Sequence, residues 1–194
     1  MRNRIRGIAC ILLVFAAGPG TSGAEEPARG RVLVAGGDLD AGTMLPPELP
    51  WSGASRSLLR DPADDWATPF EAGGLSQTPR YEEMMNWLRR LDEASPDISL
   101  VTLGKSPEGR DLWMVIATAG GAATPEELHR GGKPVLLAQA GIHSGEIDGK
   151  DAGMMLLRDL TVGGSKRELL RDASFLLVPI FNVDGHERFS RYSP

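Results

Sequence analysis

The sequence predicts an α/β fold in which a mixed β-sheet is flanked by helices. Three observations carry that expectation. Residues 134–140 and 175–180 are apolar at nearly every position, the pattern of strands covered on both faces. Between them lies a stretch of helical periodicity that ends around residues 160–163. Ahead of them an amphipathic helical segment precedes two β-rich runs joined by turn residues. The order is therefore helix, strand, strand, strand, helix, strand, and sites in such sheets form where strands end in loops.

Residues 1–24 read as a signal peptide. Arg2, Arg4 and Arg6 supply a basic start, residues 8–17 an apolar run, and Ser22, Gly23 and Ala24 the small residues that favour cleavage before Glu25. That run falls well short of the roughly 20 residues needed to span a bilayer. The expected location is the periplasm or the extracellular space, with no membrane association after cleavage. The single cysteine, Cys10, leaves with the signal, so the mature chain has neither disulfides nor thiolate ligands, which fits a bacterial envelope. Losing three of the 21 basic residues leaves 18 against 26 acidic ones, a formal net charge of −8. Nucleic acid and anionic membrane surfaces are disfavoured partners for such a chain.

Residues 25–77 are rich in Gly, Pro, Ser and Asp and read as an extended N-terminal arm. Within it residues 31–35 could form a short strand and 55–59 one turn, with Trp51, Trp66 and Phe70 as anchors. Residues 78–194 hold the ordered part. Thr78 and Pro79 look like an N-cap and first helical position, Tyr81, Met84, Leu88 and Leu91 recur at helical spacing, and Ser95-Pro96 ends the helix. Residues 98–103 and 112–118 form a predicted β-hairpin. Pro125-Glu-Glu-Leu-His-Arg130 reads as a short polar turn, residues 134–140 as a buried strand, and the next helix as starting near Glu146.

The chemistry concentrates where that buried strand hands over to the helix. His143 and Glu146 stand three positions apart on the turn, so an imidazole and a carboxylate can face one ion. Zinc hydrolases commonly use such ligands and leave a coordination position for water. Gly141 and Gly145 allow a sharp turn, and Asp148 and Asp151 add negative charge that a cation would offset.

Four pieces in this order resemble the front part of M14-type zinc carboxypeptidases, the carboxypeptidase A superfamily. They are the opening helix, the hairpin Gly104-Lys-Ser-Pro-Glu-Gly-Arg-Asp-Leu112, the loop Gly141-Ile-His-Ser-Gly-Glu146, and Phe181-Asn-Val-Asp-Gly185 after the next strand. The resemblance runs from about Thr78 to Pro194. It implies a zinc carboxypeptidase-like fold, incomplete at the C-terminus, with Zn2+ as cofactor, His143 and Glu146 as the first two metal ligands, and a peptide as substrate. Two departures from the family pattern are Gly145, where an arginine often stands, and Val183 in place of proline. The third ligand (a histidine), the arginines that grip a substrate carboxylate, a tyrosine and the catalytic glutamate are implied to lie beyond Pro194. The chain is accordingly expected to be a fragment with no catalytic residue of its own.

Other residues suggest less. His129 sits in the polar turn, His186 reads as a surface residue or a neighbour of the metal site, and Ser190 stands where an H-E-x-x-H signature from His186 needs histidine. Ser144 lacks a nucleophile elbow. Arg188 and Arg191 read as solvated charges. The expected function is exported, zinc-dependent metallocarboxypeptidase activity, that is, proteolysis. A zinc-dependent amino-acid deacylase of related fold and an inactive peptide- or peptidoglycan-binding relative are the alternatives, and nothing in the sequence sets the oligomeric state.

Overall fold

A computed structural model describes residues 31–34, 37–40 and 53–188. The signal segment, Trp51, Ser190 and Arg191 lie outside them. The chain divides into two compact units, 1–56 and 57–194. In the first, strand β1 (Arg31–Val34) pairs antiparallel with β2 (Gly37–Asp40), so the expected short strand is half of a hairpin. A 3-10 turn, Ala54–Leu58, spans the division between the units.

The second unit begins its regular structure with α1 (Pro69–Ala72), closed by a capping box between Thr68 and Glu71. Helix α2 (Tyr81–Ala94) follows, then β3 (Ile98–Lys105), β4 (Asp111–Ala117), α3 (Pro125–Gly131), β5 (Val135–Gln139), α4 (Asp148–Leu160), α5 (Leu169–Asp172), β6 (Ser174–Val178) and α6 (Val183–Arg188). Strand order is β3-β4-β6-β5; β4 runs antiparallel to β3 and β6, and β5 runs parallel to β6, which makes the sheet mixed.

Side-chain alternation sorts the sheet into two faces. Leu100, Val115, Ala117, Phe175 and Leu177 join Met84, Leu88 and Leu91 of α2 and Met154 and Leu157 of α4 in one core. Val101, Met114, Ile116 and Leu176 point the other way, toward α3, and line an apolar groove of about 670 Å³.

Three local expectations need correction. Helix α2 begins at Tyr81 and not at Pro79: Thr78 and Pro79 bond to other elements, and the N-cap is Arg80, whose donor-only guanidinium makes no capping bond. Residues 125–131 form a helix, since Thr124 and Glu127 make a capping box that holds a polar segment helical. Strand β5 is not buried. Leu136 and Leu137 are 63% and 56% exposed, because among the described residues β5 is the edge of the four-stranded sheet and pairs with β6 alone. Strand β6, by contrast, is buried throughout, as its apolar run predicts.

Candidate metal centre

The loop bearing His143 and Glu146 is fixed at both ends. At its start the β5–β6 pairing continues past the strands: Ala140 N–H donates to Val178 O, Phe181 N–H to Ala140 O and Asn182 N–H to Gly141 O at 2.8 Å. Gly141 adopts φ +58°, and a Cβ there would sit 3.1 Å from Ile180 Cα, so both conformation and space call for glycine. At the far end α4 begins at Asp148, two residues later than its periodicity suggests. Its Gly149 packs so closely on Ala140 that an added Cβ would come within 2.9 Å of the alanine methyl.

Between these anchors the two predicted ligands meet. His143 Nδ1 lies 2.7 Å from Glu146 Oε1, and Glu146 Oε2 accepts from the His143 backbone N–H at 3.2 Å. An ionised carboxylate can only accept, so Nδ1 carries the proton in this arrangement. Both side chains are largely open to solvent. The two side chains are thus hydrogen-bonded to each other, and an imidazole nitrogen and a carboxylate oxygen are donor types suited to zinc. Among the described residues no third His, Cys, Asp or Glu completes a cluster with them.

The neighbouring acids behave differently from one another. Asp151 is buried in α4, accepts from Thr78 Oγ1 at 3.1 Å and lies 3.7 Å from Lys150 Nζ, so its charge is answered from within the protein. Burial raises its pKa, with Lys150 and Thr78 opposing. His129 is on α3, lining the apolar groove on the other face of the sheet. His186, expected as a surface residue or a neighbour of the metal site, is 3% exposed and sits against Lys150. Arg188 pairs with Glu108.

The residues that organise the site follow β6. Asp184 accepts from Ser106 Oγ at 2.8 Å, the Glu108 N–H at 3.1 Å and Arg110 Nη1 at 2.7 Å, drawing the turn of the β3–β4 hairpin onto α6. Burial would raise its pKa, but the Ser106 and Arg110 hydrogen bonds prevail and hold it below the ordinary aspartate value. Asn182 Oδ1 accepts from the Gly185 N–H and caps the start of α6. Two of the four sequence pieces, Ser-Pro-Glu-Gly-Arg and Asn-Val-Asp-Gly, are thus halves of one polar contact.

With this geometry in view, the match to known proteins can be placed. The family described as zinc carboxypeptidase matches residues 84–193, more than half of the chain. The chain belongs to the zinc carboxypeptidase family. Carboxypeptidase A from Helicoverpa armigera shares its fold, with a TM-score of 0.50 and 22% identity over 59% of this chain and 28% of that one. The metallo-carboxypeptidase from Burkholderia cenocepacia matches with a TM-score of 0.49 and 24% identity over 59% of this chain and 30% of its own. Bovine thrombin-activatable fibrinolysis inhibitor, solved with a tick carboxypeptidase inhibitor, matches with a TM-score of 0.47 and 20% identity over 57% and 33%. The chain spans a third or less of the length of these zinc carboxypeptidase structures.

Among the described residues, sequence reasoning missed the fully buried side chains of Lys150, Arg158 and Glu71. A signal for the first two was present. Lys150 and Arg158 share the helical stripe of Met154 and Leu157, and a charge on an apolar face implies a buried partner.

Proposed function

We propose that this chain is part of an exported, zinc-dependent metallocarboxypeptidase that hydrolyses peptide bonds, with His143 and Glu146 as two of its zinc ligands. The observation that carries this reading is the direct contact of His143 Nδ1 and Glu146 Oε1, 2.7 Å apart, on a loop inside the family-matched region. Zinc held there would polarise a carbonyl and make its bound water a nucleophile near neutral pH. The chain's own contribution is to present both ligands from a loop whose ends are tied to one backbone segment, which limits the reorganisation needed on binding. Binding through Nδ1 would require the imidazole proton to sit on Nε2, the other tautomer of His143. Export rests on the basic, apolar and small-residue pattern of residues 1–24.

Zinc content and affinity of the purified chain, beside His143→Ala and Glu146→Ala, test the metal reading. Zinc bound by the parent and lost in both variants supports it. Zinc retained undiminished in both overturns the assignment of these ligands and removes the ground for the peptidase. N-terminal sequencing of the protein from the producing cell tests export, with Glu25 as the expected first residue.

A further inference from the structure

We infer that the buried contact between Lys150 and His186 positions the metal loop from behind, and that protonation of His186 releases it. The inference deepens the metal-site reading above and rests on it for its functional meaning.

Lys150 lies in the first turn of α4, four residues beyond Glu146, with its side chain fully buried. Its Nζ donates to Pro79 O at 2.5 Å and stands 3.1 Å from His186 Nε2. Burial lowers the Lys150 pKa, with Asp151 opposing; as an ammonium it has no lone pair to offer, so Nε2 is then the acceptor and the imidazole proton sits on Nδ1. Nδ1 lies 3.1 Å from Glu187 Oε1 and donates to it. That same oxygen accepts the Tyr81 N–H at 3.0 Å, which supplies the cap that Arg80 does not give α2, while Arg80 Nη1 donates to Glu187 O at 2.9 Å. A line of hydrogen bonds thus joins the starts of α4 and α2 through α6.

The metal loop is thereby held twice by one short segment. Its first residue bonds to Asn182, and the helix that ends it is held by His186. Without the second tie, α4 could turn or shift at its N-terminus and carry Glu146 away from His143.

Proton uptake would break this arrangement. A second cation at Nε2 would stand 3.1 Å from the ammonium in a site with almost no water. The other charges facing the pair are Asp151 from α4, Glu187 from α6, and Arg80 and Glu83 from the start of α2. The carboxylates offset part of the repulsion and Arg80 adds to it. Burial, then Lys150, push the His186 pKa below its ordinary value, with Glu187 opposing. A histidine depressed in the folded state contributes stability that is complete above about pH 6.5 and is lost as pH falls toward the folded value.

The test uses the full chain, Lys150→Met and His186→Gln, with three readouts: the His186 imidazole titration by NMR, amide exchange across the loop, and zinc affinity by chelator competition. The parent should keep His186 neutral below pH 6.5, and Lys150→Met should raise its titration point. In Lys150→Met the amides of Glu146, Asp151 and the substituted position itself should exchange faster while those of β6 do not, and zinc should bind about tenfold more weakly. Lowering the pH of the parent through the His186 titration point read by NMR should open the same amides beyond the intrinsic rate change, and His186→Gln should abolish that step. Unchanged loop protection in both Lys150→Met and the acidified parent overturns the inference, as does undiminished zinc affinity in a folded Lys150→Met. A parent that binds no zinc defeats the proposed function, and loop exchange alone then decides whether the pair holds the loop. If Lys150→Met does not fold, the pH step and its loss in His186→Gln decide.

Discussion

Replacing Glu71 by alanine should be among the most damaging single changes away from the metal loop. Its carboxylate is fully buried and accepts four hydrogen bonds: from Arg158 Nη1 at 2.6 Å, the N–H groups of Arg60 and Thr68 at 2.8 Å each, and Thr68 Oγ1 at 2.9 Å. Arg158 is equally buried, so truncating Glu71 removes the partner of a guanidinium that water does not reach. Breaking a buried ion pair from one side costs about 3–5 kcal/mol. Asp159, which accepts from Arg158 Nε at 3.0 Å, and Leu58 O, 3.1 Å from Nη2, retain part of the compensation, which places the expected loss near ~3 kcal/mol, the lower end of that range. With a urea slope of about 2 kcal/mol/M, the unfolding midpoint at pH 7 should fall by roughly 1.5 M. Burial by itself would raise the Glu71 pKa, but Arg158 and the Thr68 and Arg60 donors outweigh it, and the net shift is downward. Its contribution is therefore present above the ordinary glutamate pKa and is lost as pH falls through the folded value. Glu71→Gln should weaken that part of the acid dependence. A loss below about 1 kcal/mol in Glu71→Ala, with the urea slope unchanged, would refute the reasoning.

Further outcomes follow from the same contacts. Asp184→Asn and Arg110→Gln should each lower the urea midpoint, and the double variant should lose less than the sum, because both remove one contact; strict additivity would argue against the coupling. Because the Asp184 pKa lies below its ordinary value, its contribution is present above about pH 4 and fades in acid, so the gap between parent and Asp184→Asn should narrow as pH falls. Gly149→Ala places a methyl 2.9 Å from the Ala140 Cβ and should cost about 1–3 kcal/mol while weakening zinc binding through displacement of the loop. His129→Ala, on the groove face, should leave zinc affinity unchanged; a clear loss would implicate α3 in the metal site.

Much of the fold was legible because local chemistry and tertiary context agree there. The hairpin turn, the stripe of α2, the closing Ser95 and the fully apolar β6 each state their own role. Legibility failed where a distant group settled a local choice. Thr78-Pro79 has the residues of a helix start, but Asp151 takes the threonine hydroxyl and Lys150 the proline carbonyl, so α2 begins later with Glu187 as its cap. Residues 135–139 have the composition of a covered strand, yet among the described residues strand order puts them at the sheet edge.

The candidate site divides along the same line. The sequence alone named His143 and Glu146 as a pair, since three positions on one turn bring two side chains together whatever surrounds them. It also supplied Gly141, whose positive φ is a local property of the turn. Tertiary structure alone decided what stands behind the loop. Lys150 meets His186 across 36 residues, Asp184 meets Arg110 across 74, and Arg158 meets Glu71 across 87. A buried charge must find its counterpart wherever the fold provides one, and sequence separation carries no record of that distance.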